Sequence, residues 1–246
     1  MIGPPVVRVL HHPKSSHSEE EWEDAAAYSE ARGVVAVADG AATSYRAARW
    51  SAALVESFVA GDVAMTPDGF GDWVAQLGEV FQGRSVGVSD SASWYASDAS
   101  RRGSFATFCG LRLDDGRGPG YSAVHVGDAC IFHTRGDALL FANLDDPATF
   151  DAMPDLLSSA DYDGERGVDS ARFVRGEVVP GDVIFLATDA LGAAMLRLAQ
   201  AGQAVWRFFG SVGQEGFGPL VEALRESLVM EDDDVTLLRV RFRGVS

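Results

Sequence analysis

The sequence is short of lysine, cysteine and positive charge. Its 246 residues carry 20 Lys and Arg against 36 Asp and Glu, a formal net charge of −16 that would repel a nucleic-acid backbone. A general DNA- or RNA-binding role is therefore excluded. Lys14 is the one lysine. Two cysteines, Cys109 and Cys130, are too few for a disulfide framework and stand in no C-x-x-C or Cys/His zinc spacing, so buried free thiols are expected. No stretch reaches the ~18 apolar residues of a membrane span. Met1 to Leu10 is interrupted by Gly3, Pro4, Pro5 and Arg8, so it lacks the unbroken apolar segment of a secretory signal. A cytoplasmic protein with no membrane partner is the expectation. No repeat, low-complexity tract or linker divides the chain, and an apolar content of 47% suits one globular domain over 1–246.

Periodicity supplies the elements. Val6 to Leu10 reads as a strand and His11 to Glu21 as a polar loop. Ala25 to Tyr28 and Val34 to Ala38 flank a Gly33 turn and predict a hairpin. Thr43 or Ser44 can cap a helix in which Ala47, Trp50, Leu54 and Phe58 form one stripe. Trp73, Leu77 and Phe81 repeat that spacing in a second helix from Asp68, which Gly83 is expected to end. Ser104 to Leu113, Tyr121 to Val126 and Cys130 to His133 read as a β-meander broken by glycine turns. The Asp-, Ser-, Pro- and Gly-rich segment 143–170 has no sustained period and is a candidate flap. Strands follow at Phe173 to Val179 and Val183 to Thr188. Helices are then expected at Ala190 to Ala201, Ala204 to Phe209 and Leu220 to Val229, with a closing strand at Val235 to Phe242. Strands and helices are segregated along the chain, which predicts an α+β fold with antiparallel sheet covered by helices.

Acids collect at strand ends. Val34 to Ala38 stops at Asp39-Gly40, Phe185 to Thr188 stops at Asp189, Glu231 to Asp234 precedes Val235, and Glu23-Asp24 precedes Ala25. One such acid is usually a cap or turn residue; four sites make convergence the better reading. Gathered carboxylates repel one another and tolerate ionisation only with cations between them. Oxygen ligands select hard ions, Mg²⁺ or Mn²⁺. Two such ions bridged by a carboxylate would acidify a water and polarise phosphoryl oxygens, the chemistry of phosphate-ester hydrolysis.

Four segments carry a resemblance to the metal-dependent PP2C-type (PPM) serine/threonine phosphatases, in particular a compact bacterial form. They are Glu23-Asp24-Ala25, Val37-Ala-Asp39-Gly40, Val126-Gly127-Asp128, and Asp182 to Leu191 followed by Asp233-Asp-Val-Thr236. The resemblance implies a four-layer α-β-β-α sandwich, two antiparallel sheets flanked by helices, with two Mn²⁺ or Mg²⁺ ions and a weaker third in a cleft at one end. It places Asp39 as the bridging acid, the Gly40 carbonyl and Glu23 on the second ion with Asp24 beside it, and Asp189 and Asp233 on the first. Asp128 falls at the third ion. Asp39, Asp189 and Asp233 become the catalytic acids, Ser104 a structural strand start. The implied partner is a phosphorylated protein, a serine/threonine kinase or one of its targets.

The sequence also departs from that pattern. Where the family often has a phosphate-clamping arginine, four residues before Glu23, stands Glu19. A carboxylate repels a phosphate dianion, so Lys14, His17 and Arg46 become the candidate phosphate-binding cations, with His11 and His12 on the same loop as Lys14. Ala41-Ala-Thr-Ser44 replaces the usual glycines, Ala190 a glycine, Asp234 an asparagine, and Ala129-Cys130 a Ser-Arg pair. None of these changes removes a metal acid. His125 and His133 are read as sheet histidines, with a general acid as the rarer alternative. Asp161 to Gly164 lacks the glycine and terminal glutamate of a calcium loop. The competing function is a weak or inactive PP2C-like binding module acting as a signalling adaptor.

Overall fold

The computed structural model describes residues 3–15, 17–18, 21–42, 44, 46–85, 103–114, 120–150, 153–160 and 166–244. Glu19, Thr43 and the 161–164 segment lie outside them.

All ladders are antiparallel, as the segregation of strands and helices implied. The first sheet has the order β1-β11-β10-β6-β7, formed by β1 (Val6–His12), β6 (Cys130–Arg135), β7 (Ala138–Ala142), β10 (Asp182–Ala187) and β11 (Val235–Arg241). The second runs β2-β3-β4-β5-β9, from β2 (Ala25–Ser29), β3 (Val34–Gly40), β4 (Phe105–Leu113), β5 (Gly120–Val126) and β9 (Arg172–Glu177), with the two-residue β8 (Leu157–Ser158) paired to β4.

Three apolar clusters define four layers. Between the sheets lie Val35, Val37, Leu111, Ile131, Ile184, Leu186 and Leu238. Outside the second sheet, α1 (Ala47–Ala60) and α2 (Pro67–Ser85) bury Trp50, Leu54, Phe58 and Phe70 against Phe108 and Val126. Outside the first sheet, α3 (Asp189–Gln200), α4 (Val205–Ser211) and α5 (Gln214–Glu226) bury Leu191, Met195, Phe209 and Phe217 against Phe132 and Phe185. Each fully buried leucine or phenylalanine contributes about 2 kcal/mol of transfer free energy. Continuous burial along β3 and β11 follows from a sheet covered on both faces. Cys109 and Cys130 are buried and free. No helix of the described residues is long and apolar enough to cross a membrane.

Several boundaries differ from the sequence reading. His11 and His12 belong to β1, held in register with Thr236 and Val235, so the polar loop begins at Pro13. Ser44 does not cap α1: its hydroxyl accepts from Phe105 N at 3.1 Å, and the position before the helix is Arg46 with φ 56°. Gly83 does not end α2, because an exposed glycine on the last turns costs only ~1 kcal/mol of helix propensity. α5 starts at Gln214, six residues before Leu220, through two glycines and Pro219. Segment 143–170 holds β8 and two short 3-10 turns at Pro147–Thr149 and Val168–Ser170.

Candidate active site

The sheets bring strand ends together at one edge of the sandwich. There a cavity of about 660 Å³ is lined by Glu23, Asp39, Asp128, Asp189, Glu231 and Asp233, with Gly40 and Thr107 between them. Asp39 closes β3 beside Thr107 of β4. Asp128 follows Gly127, whose φ of 75° suits glycine and turns β5 into β6. Asp189 opens α3, where the helix N-terminus favours a carboxylate, and accepts from Ala190 N at 2.5 Å. Glu231 and Asp233 precede β11.

Glycine is required at position 40 by space. A Cβ there would lie 2.8 Å from the Ala47 carbonyl carbon and 2.9 Å from the Glu23 backbone oxygen. Gly40 N also donates to that oxygen, and so does the Ser51 hydroxyl, at 2.6 Å. The end of β3, the start of α1 and the residue before Asp24 thus meet at one point.

Asp24 stands behind the cavity and is not among its lining residues. Its Oδ2 accepts from the hydroxyls of Thr236 at 2.7 Å and Thr188 at 3.0 Å, while Oδ1 is buried without a hydrogen-bond partner among the described residues. Burial, opposed by those hydroxyls and reinforced by the Asp189 charge, pushes Asp24 up to about 8. Asp39 is held well above the usual carboxylate range, first by burial and then by Asp24, Asp189, Asp233 and Asp128. Burial also pushes Asp189 up to about 6, against the pull of the Ala190 N–H. Burial is the larger cause in each case, and the neighbouring acids add to it, so these carboxyls stand close enough to disfavour one another's charge.

Lys14 supplies part of that charge. Its ammonium lies 3.3 Å from Glu23 Oε2 and 3.9 Å from Asp233 Oδ1, with the side chain 18% exposed. Burial works against the charged form, but the bond to Glu23 and the neighbouring acids outweigh it and raise the lysine above its ordinary value. Asp234 sets the loop's position: its two oxygens accept from Lys14 N and Glu23 N, each at 2.8 Å. His17 is exposed, and Arg46 sits at the start of α1. His12 pairs with Glu222 at 2.7 Å and His11 stacks on Trp22. His133 is buried against Asp182 at 3.0 Å, in the partner strands of the first sheet.

The sequence reading did not single out Glu231, Thr188 or Thr236. Glu231 was visible as the first acid of the run ending at Asp234. The threonines were visible only as neighbours of acids, in Thr188-Asp189 and Val235-Thr236, because nothing in one sequence reveals that both reach back to Asp24.

A donor set made of carboxylate oxygens, from Glu23, Asp39, Asp128, Asp189 and Asp233 around one cavity, fits hard divalent cations better than zinc or copper. Among the described residues no three acid, histidine or cysteine side chains already stand in the arrangement that encloses an ion. Such a cavity can gather cations and, through them, an anionic ester.

No protein-family model matches the sequence, and no curated protein matches it. Solved structures do. PppA, described as a key regulatory component of T6SS in Pseudomonas aeruginosa, is 18% identical at a TM-score of 0.62, covering 98% of this chain and 99% of that one. The catalytic domain of the serine/threonine protein phosphatase PstP, solved with 2 manganese ions, is 15% identical at 0.60, covering 98% and 99%. The serine/threonine phosphatase Stp1 from Staphylococcus aureus is 12% identical at 0.63, covering 97% and 95%. The chain has the fold of the PP2C-type phosphatases, the α+β arrangement that the sequence resemblance implied.

Proposed function

We propose that the protein is a divalent-metal-dependent phosphatase that hydrolyses phosphoserine or phosphothreonine in a protein substrate. The observation that carries this reading is the meeting of acids from five chain segments around one cavity. Isolated in a low-dielectric cleft, those acids repel; with hard cations between them they become ligands. Asp39, Asp189, Asp233, Glu23 and the Gly40 carbonyl are the residues proposed to hold two Mn²⁺ or Mg²⁺ ions, and Asp128 a weaker third. When bound, the ions supply an activated water and positive charge against the phosphoryl oxygens. Asp24 positions the set through Thr188 and Thr236, which tie the start of α3 to β11. Asp234 holds Glu23 and Lys14 in place. Lys14 is ion-paired with the cavity acids Glu23 and Asp233, and it is assigned the substrate phosphate, with His17 and Arg46 as the other candidate cations.

The test is hydrolysis of p-nitrophenyl phosphate and a phosphothreonine peptide with Mn²⁺. Turnover is expected to vanish with chelator and to fall at least ~100-fold in Asp39→Asn. Folded wild-type protein that takes up Mn²⁺ and turns over neither substrate would overturn the reading in favour of a binding module.

A further inference from the structure

A second cavity, of about 380 Å³, adjoins the acid-lined one and shares Asp128, Met153 and Pro154 with it. Its other side is made by His125, Ser170 and Arg172. His125 and Arg172 are cross-strand partners where β5 nears its end and β9 begins. Arg172 Nη1 donates to the carbonyls of Asp169 and Ala171, each at 3.2 Å, which fixes the guanidinium at the rim. Its Nε and Nη2 make no hydrogen bond among the described residues. His125 Nδ1 is buried and likewise without a partner. Met153, on the wall common to both cavities, is 86% exposed and offers an apolar surface between them.

Charge gives the position its meaning. Among the described residues lining either cavity, Arg172 is the one Lys or Arg, in a chain of net charge −16. A peptide whose phosphorylated side chain enters the first cavity can cross Met153 and Pro154 into the second, since an extended chain advances ~3.4 Å per residue. A guanidinium offers paired donors that match carboxylate and phosphate oxygens alike.

We propose that the second cavity is a substrate subsite in which Arg172 receives a second anionic group, carboxylate or phosphate, a few residues from the phosphorylated side chain. The proposal rests on the phosphatase reading for the first cavity. Asp128 and Asp155 also line the subsite and oppose an anion, so selectivity is moderate: at most about fivefold, the scale of a partly exposed ion pair.

The experiment compares kcat/KM for four phosphothreonine peptides with Mn²⁺: flanks that are neutral, acidic or basic, and one with a second phosphoserine. Each value is normalised to p-nitrophenyl phosphate turnover by the same variant. Wild type is expected to favour the acidic or doubly phosphorylated peptide by up to about fivefold over the neutral one. Which of the two leads identifies the group as carboxylate or phosphate. Arg172→Ala should bring the ratio to about one, and Arg172→Lys should retain part of it. Equal rates on all four peptides, a preference for the basic one, or a preference that survives Arg172→Ala would overturn the subsite. If neither peptide nor aryl phosphate is hydrolysed, it is the phosphatase reading that fails. Fluorescence anisotropy with the labelled doubly phosphorylated peptide then decides the subsite: weaker binding by Arg172→Ala supports it, and equal binding refutes it.

Discussion

Asp39 shows most clearly how a single side chain can be read from its surroundings. It is crowded by Asp24, Asp189, Asp233 and Asp128 and mostly withdrawn from water, so an amide of the same shape relieves repulsion. Metal-free Asp39→Asn is therefore expected to melt no lower than wild type while losing Mn²⁺-dependent turnover; a clear drop in Tm without metal would mean that the acids are not in conflict. Lys14→Met should raise KM for a phosphopeptide ~10-fold with kcat nearly unchanged, whereas an unaltered KM assigns the lysine to loop structure alone. His125 gives a pH signature. Burial, helped by the Arg172 charge, lowers it to about 4, whereas an unfolded imidazole titrates near ~6.5. The unfolded chain therefore takes up the proton first. The stability His125 contributes is complete above ~6.5 and is lost as pH falls toward 4. In His125→Phe, the loss of Tm over that window is expected to be shallower than in wild type; parallel curves would contradict the assignment.

At the level of elements, the site is a set of tethers between segments far apart in sequence. Asp234 joins the Lys14 loop and Glu23 to the start of β11 through two charge-assisted bonds, and Asp234→Ala leaves both donors unpaired. A loss of about 2 kcal/mol in chemical denaturation is expected, with weaker Mn²⁺ uptake; unaltered uptake would mean that this tether does not set Glu23. Gly40→Ala meets backbone atoms at 2.8 and 2.9 Å and should cost about 2 kcal/mol by the same measurement. Elements with a strong period were legible: Ala47, Trp50, Leu54 and Phe58 are all buried on α1. β7 was not, because Ala138, Leu139 and Leu140 are exposed on an edge strand and give no alternation. The early turns of α5 were hidden by Gly216, Gly218 and Pro219. Gly218 lies against the His12 ring, where a Cβ would come within 3.2 Å of Nδ1, so that glycine serves helix-to-strand packing and carries no turn signal.

For the whole molecule, the two sheets act as a frame that converts strand ends into neighbours. Four acidic sites at strand ends were enough to suggest convergence; antiparallel pairing of β10 with β11 puts Asp189 and Asp233 at one edge, and the stacking of the sheets brings Asp39 of β3 to it. The strand-end pattern could not tell the wall of the cavity from the layer behind it. Asp24 and Asp128 looked alike as acids beside a strand, yet the first turns inward to two threonines and the second lines the cavity. Net charge contributes at this scale too: with −16 on the chain, divalent cations are drawn to the molecule, and uptake should weaken with added monovalent salt. The most direct measurement is anomalous scattering at the manganese edge from a crystal soaked in Mn²⁺. Two strong peaks are expected within ligand distance of Asp39, one shared with Asp189 and Asp233 and the other with Glu23 and the Gly40 carbonyl. Ordered protein with no manganese among these acids would contradict the account.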